Sequence, residues 1–371
     1  MSSPTHLPLS YLHAKCAAAR GAPPFDLCIH AKGDYISDVL RRSGSWDDRV
    51  GAVIDVRLAT RVARSATTRS SGHSARTRHS PQSLLFIDVG ANIGYFSIYV
   101  AASMGVDVVA FEPVASNARL LYTSALLLAA ASGKSAGVTA GSVTVLPFAI
   151  GDVALVATAM TVNVANNGGA AVAALAAQSA AFSPERQQRD GWLARVVPAS
   201  GVATVPLCAA LSATQQRRVA LIKVDVEGYE GAVVSGAQCL WRRREAVDDI
   251  PPRRHRPDLL LEVTPLAQSG ATEWIAAGGG ATYASSRGYA AMLRSLGRSG
   301  YIFIDIHSLR RVMTLSRDEW DDIHAADTAT ARFLDAVAAS AAEQTDVLCI
   351  ADDEAFTIEA FARSVLASTS R

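Results

Sequence analysis

The chain has 371 residues, half of them hydrophobic and 19% charged, with a formal net charge of +1. Disordered chains pair few apolar residues with high net charge, so that class is excluded, and near-neutrality argues against nucleic-acid binding through bulk charge. Five scattered cysteines (Cys16, Cys28, Cys208, Cys239 and Cys349) form no CxxC or Cys/His cluster, which speaks against a disulfide framework and a structural zinc site.

The near-neutral total hides unlike regions: residues 1–82 carry a net +6, residues 83–317 a net +4 and residues 318–371 a net −9. The mean hydropathy of +0.18 comes largely from alanine, and the longest apolar runs (125–131 and 170–177) are too short to cross a bilayer. Met1–Arg20 lacks an apolar stretch after a basic start, so no secretory signal is expected. The expectation is a cytoplasmic protein with reduced thiols.

In chain order, residues 25–64 alternate and then turn helix-like, with Ser37 opening a helix that stops at Gly44. Residues 1–63 are expected to pack on the core. Residues 64–82, rich in Ser, Thr, Arg and His, are expected to be a flexible linker. From residue 83 strand and helix signals alternate: a strand at 84–89, a helix at 94–105 ending on Gly105, a strand at 106–113, a helix at 114–131 and a strand at 142–150. Further strands are expected at 154–164, 219–228, 258–265 and 345–351, helices at 229–244 and 318–343, and a helix followed by a strand over 288–306. Insertions are expected near 166–185, 242–257 and 266–286. The pattern predicts an α/β doubly wound, mostly parallel sheet with helices on both faces.

The segment Asp88-Val89-Gly90-Ala91-Asn92-Ile93-Gly94 joins the first strand of this region to its first helix. Parallel strands deliver such turns to the carboxyl edge, where open α/β sheets bind ligands. The Gly-x-x-x-Gly spacing is not the G-x-G-x-x-G of dinucleotide sites, and an acid stands at position 88. A carboxylate repels a pyrophosphate and attracts a cationic ligand, which favours S-adenosylmethionine over a nicotinamide cofactor. Glu112 follows Gly90 by 22 positions at the end of the next strand, the place of an acid that binds ribose hydroxyls. Ala149 and Asp152, in "AIGD", are suited to border an adenine ring. Asp225 and Glu227, in "KVDVEGYE", and Glu262, in "LLLEV", place ionisable groups over the pocket to orient or deprotonate an acceptor hydroxyl. Lys223 is the expected partner of Glu262, since an acid within an apolar strand needs one. No metal is assigned. A histidine base would have to come from His30, His307 or His324.

The stretches "FIDVGANIGYFSIYVA" (86–101), "VVAFEPVASNARLL" (108–121), "VTVLPFAIGD" (143–152), "LIKVDVEGYEGAVVSGA" (221–237) and "LLLEVTP" (259–265) resemble, in order, the motifs of the FkbM family of S-adenosylmethionine-dependent methyltransferases. The resemblance implies a class I methyltransferase fold with a seven-stranded sheet whose last strand is antiparallel. It implies methyl transfer, commonly to a hydroxyl of a sugar or other small natural product. It places Asp88, Gly90, Asn92 and Gly94 on the loop that holds the methionine part of the cofactor, Glu112 on its ribose, Ala149 and Asp152 on its adenine, and Asp225 and Glu227 beside the reacting methyl. The chain departs from the family at "VPLCAAL" (205–211), where Cys208 and Ala209 stand in place of an Asp.

The leading reading is therefore an O-methyltransferase acting on a small-molecule or glycan acceptor, with no nucleic-acid partner and no membrane span. A nicotinamide-dependent oxidoreductase and a catalytically silent interaction protein are the alternatives. The silent reading would use 64–82 and 318–371 as contacts.

Overall fold

The computed structural model describes residues 11–16, 25–32, 34–67, 84–132, 139–163, 166–173, 194–241, 256–263, 286–339, 345–351 and 356–369. Most of the expected linker and much of the three expected insertions lie outside them. Before the glycine turn come β1 (Tyr11–Cys16), β2 (Phe25–His30), α1 (Tyr35–Ser43) and α2 (Asp48–Thr67). Then follow β3 (Leu85–Val89), α3 (Tyr95–Met104), β4 (Asp107–Phe111), α4 (Ala115–Ser132), β5 (Val143–Leu146), β6 (Ala149–Gly151), β7 (Leu155–Asn163), β8 (Asn166–Ala173) and β9 (Ala194–Pro206). The second half holds α5 (Leu207–Ala210), α6 (Ala213–Arg218), β10 (Val219–Val224), α7 (Glu230–Gly236), β11 (Asp258–Val263), α8 (Ser286–Arg298), β12 (Tyr301–Asp305), β13 (Arg310–Val312), α9 (Arg317–Asp321), α10 (Ile323–Ala338), β14 (Thr345–Ala351) and α11 (Ile358–Thr369).

One eight-stranded sheet, in the order β13-β12-β14-β11-β10-β3-β4-β5, organises these elements. The strands β5, β4, β3, β10 and β11 run parallel, and β14 runs antiparallel to both β11 and β12. The count exceeds the expected seven because the chain turns back after β12 and adds three-residue β13 at the edge. Helices α2, α3, α4 and α11 pack over one face, and α7, α8 and α10 over the other. A strand buried on both faces cannot alternate apolar with polar side chains, and all five residues of β3 are buried.

Local chemistry sets the helix ends. Asp34, not Ser37, caps α1, its carboxylate accepting from the Ser37 N–H at 2.8 Å, while Gly44 ends the helix in the left-handed conformation. The helical stretch expected over 318–343 breaks at Asp322, which caps α10 by accepting from His324 and Ala325. The strand expected over 142–150 is also two pieces. It leaves the main sheet at Leu146, and β6 belongs to a separate four-stranded sheet, β6-β9-β7-β8. Pro147 stands at the break, where its missing N–H cannot serve a ladder. The strand expected over 219–228 stops at Val224, and the remaining residues form a turn.

The segment before β3 is part of the same core. Leu27, Ile29, Val53, Ile54 and Leu58 are fully buried in one cluster with Phe86, Leu221 and Leu348 of the sheet. Charge fixes how α2 docks. Arg57 and Arg61 both reach Asp258 at the start of β11, at 2.9 and 2.7 Å, and Asp258 is completely buried. Arg61 also donates to the Arg256 carbonyl at 2.7 Å.

Candidate functional site

Strand alternation builds the site. In β3, β4, β10, β11 and β14, the residues Phe86, Val108, Ala110, Leu221, Leu260 and Leu348 point to the face covered by α2 and α3. Two residues further toward the carboxyl edge, the same face receives Asp88, Glu112, Lys223 and Glu262, and Asp346 from antiparallel β14. The ladder sets Lys223 opposite Asp88 and Glu262 opposite Asp346. A row of ionisable side chains thus crosses one edge of an otherwise apolar face.

The glycine turn is locked onto this row. Gly90 and Ala91 donate to the Phe111 carbonyl, both at 3.0 Å. Glu112 accepts from the Asn92 N–H at 2.7 Å and from the Val114 N–H at 2.8 Å, one on each carboxylate oxygen. Gly90 has φ +80°, and a Cβ there would stand 1.8 Å from the Asp225 carbonyl oxygen. Gly90 therefore lets two loops of the protein meet, where the sequence suggested room for a ligand. Gly94, at φ +91°, lets the start of α3 press on Leu121 of α4. Burial pushes the Glu112 carboxyl up to about 7, against the pull of its two N–H partners.

The central charges form a chain. Asp88 accepts from the Ser97 hydroxyl at 2.6 Å, and its other oxygen, Oδ1, is buried without a partner among the described residues. Lys223 pairs with Asp225 at 2.8 Å. Burial works against the Lys223 charge, but the carboxylates of Asp225 and Asp88 outweigh it and hold the ammonium above its usual range. The expected Lys223–Glu262 pair is thus replaced: Glu262 hydrogen-bonds to Asp225 instead. The Asp225 carboxylate and burial push Glu262 up to about 11, so it keeps its proton and donates. Lys223 holds Asp225 below its usual range, against the desolvation of a carboxylate whose side chain is 40% exposed.

Glu227 and Glu230 divide. Glu230 opens α7, is fully buried, accepts from the Val226 and Gly228 N–H groups at 3.1 Å, and receives the Tyr289 hydroxyl at 2.7 Å. It clamps the turn from below. Glu227 sits in that turn with φ +56° and is exposed. Desolvation around it, then the Asp225 and Glu230 carboxylates, push it up to about 8.

Ala149 is buried in β6, on the second sheet and not on the third strand of the first, and Asp152 follows the end of β6. Helix α7 presses on this piece, since a Cβ on Gly236 would lie 1.9 Å from the Gly151 carbonyl oxygen. Cys208 and Cys239 form a disulfide across α5 and the turn after α7, which corrects the expectation of reduced thiols; Cys28 and Cys349 are free and buried. Nothing in the cysteine spacing marks the pair, because their 31-residue separation is closed only by the docking of α7. Ser97, Tyr289 and Asp346 also went unnoticed. Asp346 carries the signal that exposed Glu262, an acid at the end of an apolar strand.

The family model described as the methyltransferase FkbM domain matches residues 88–303. The chain belongs to that FkbM family. The matched span begins on Asp88 and holds Glu112, Ala149, Asp152, Asp225, Glu227 and Glu262, whereas His30, His307, His324, α1, α2 and β14 lie outside it. Membership in the FkbM family supports methyltransferase activity, and methyltransferases in general use S-adenosylmethionine. No curated protein matches the chain. Among the described residues, no helix is long and apolar enough to cross a membrane.

Proposed function

We propose that this FkbM-family protein is an S-adenosylmethionine-dependent O-methyltransferase acting on a hydroxyl of a sugar or other small molecule. The observation that carries this reading is the family match over Asp88, Glu112, Lys223 and Glu262 of the charged row. The donor set fits the cofactor. Glu112 uses one acceptor position on each oxygen for the backbone, and a carboxylate oxygen accepts two, which leaves room for a ribose diol. Asp88 Oδ1 and Asn92 Oδ1, without a partner among the described residues, supply further acceptors at the end where an amino-acid ammonium would bind. Ala149 and Asp152 would border the adenine.

When bound, S-adenosylmethionine supplies an activated methyl group. The protein's own part is to position and desolvate the acceptor. Asp225, fixed by Lys223, is a steady acceptor for an incoming hydroxyl, and protonated Glu262 is a donor beside it. Glu227 borders the same opening from solvent. The test is calorimetric titration with S-adenosylhomocysteine, followed by transfer of labelled methyl to a panel of hydroxylated acceptors. Glu112→Gln places an amide N–H against backbone N–H groups and should weaken binding at least 10-fold. Unchanged affinity in both Glu112→Gln and Asp88→Asn would overturn the site.

A further inference from the structure

The acids of the row make poor proton acceptors. Glu262 keeps its own proton, and Asp225 is held by Lys223 on one side and Glu262 on the other. Glu230 and Glu112 are committed to backbone N–H groups. Beyond Glu262 the row continues through Asp346 to His307, and both residues lie outside the family match. His307, at the turn after β12, brings Nε2 to 3.1 Å from Oδ2 of Asp346. Asp346 stands opposite Glu262 in the β11–β14 ladder, so the imidazole lies at the same edge as the Asp225–Glu262 pair. Asp88 and Glu112 lie at the other end of the row, two and three strands from β11.

We propose that His307, oriented by Asp346, is the base that removes the proton from the acceptor hydroxyl. The inference rests on the O-methyltransferase reading. An in-line displacement places acceptor and cofactor on opposite sides of the transferred group, and His307 is on the side away from the residues assigned to the cofactor. Its ring is half exposed, at 50%, while Asp346 is 19% exposed, so the ring is reachable and its partner is held. With the Nε2–H donated to Asp346, Nδ1 carries the lone pair. The acceptor's O–H bond breaks toward Nδ1, the bonding pair stays on oxygen, and the ring becomes an imidazolium that Asp346 stabilises. The proton then passes to solvent.

The groups that face His307 are all acids: Asp346 from β14, Asp47 from the start of α2, and Asp305 from its own strand. From β10 the Lys223 charge acts on Asp346 and Asp47, its ion pair being with Asp225. The Asp346 hydrogen bond is the largest influence, and it raises the imidazole above its ordinary value. Activity should therefore rise with pH through a histidine limb, and loss of the Asp346 charge should move that limb to lower pH.

The test uses the full chain, labelled S-adenosylmethionine and the hydroxylated panel. Expected are a loss of at least 100-fold in kcat for His307→Gln with unchanged KM and S-adenosylhomocysteine affinity, and loss of the limb. Asp346→Asn should shift the limb downward, and NMR titration of the His307 ring should move by the same amount without cofactor. A fully active His307→Gln with its limb intact, or a limb lost only in Glu227→Gln, overturns the assignment while leaving the reading standing. Labelling of no acceptor by the unaltered protein overturns the reading and this inference with it, whatever the NMR titration shows.

Discussion

Asp258→Asn is the sharpest test of how the segment before β3 is tied to the sheet. The carboxylate is fully buried and serves two guanidiniums, Arg57 at 3% exposure and Arg61 at 8%. Asparagine keeps the shape and removes the charge, leaving both cations buried and uncompensated. Removing one partner from a buried pair costs about 3–5 kcal/mol, and two cations share this one acid, so the upper half of that range is expected. Each ~1.4 kcal/mol is tenfold, so the unfolding constant should rise by roughly a thousandfold. Urea denaturation followed by circular dichroism measures it. The triple change Arg57→Met, Arg61→Met and Asp258→Leu removes all three charges together and should return to within about 1 kcal/mol of the parent. A loss below about 1 kcal/mol in Asp258→Asn would refute the claim that this pair anchors α2 to β11. So would a triple variant no better than the single one.

Three further outcomes follow from the same geometry. Gly90→Ala must hold a left-handed φ, at about 1–2 kcal/mol, and push a Cβ into the Asp225 carbonyl, so it should lose more than about 2 kcal/mol and weaken S-adenosylhomocysteine binding. Gly51→Ala in α2, where a Cβ meets nothing within 4 Å, should instead be neutral or gain up to about 1 kcal/mol; the same urea series compares them. Folding raises Glu112, Glu227 and Glu262 above the ordinary 4.5, so the folded chain holds protons the unfolded chain releases. Their stabilisation is complete below about pH 4.5 and is lost as pH climbs through the folded values, and His307 changes in the same sense. The urea midpoint should therefore fall between pH 5.5 and 8.0, and a rise would contradict the assigned burial. Reducing Cys208–Cys239 frees a loop of 31 residues and should cost about 3–4 kcal/mol, read as a lower midpoint in dithiothreitol. A Cys208→Ala, Cys239→Ala variant with an unchanged midpoint would show that the pair does not constrain the fold.

Much of the core was legible because its strands are short apolar runs between turn residues. The strand expected at 345–351 and the helix ending on Gly105 coincide with β14 and α3. An acid stands out inside such an apolar run, which is why the sequence pointed to Asp88 and Glu262, with Lys223 as the expected partner of Glu262. Where propensity and topology diverge, the reading failed: "SVTVLPFAI" has one continuous β-forming pattern, yet it serves two sheets, because pairing partners for β6 come from β9, more than 50 residues later.

Sequence alone thus determined the α/β class, the glycine turn and the acids of the edge, since each depends on local pattern and fixed spacing. Tertiary structure decided who pairs with whom. Lys223 pairs with Asp225 beside the charge of Asp88, Glu262 keeps its proton beside Asp225, Cys208 finds Cys239, and Asp346 holds His307. A side chain's charge state depends on neighbours within a few ångströms, and apart from the Lys223–Asp225 pair, two positions apart in the chain, strand order supplies those neighbours.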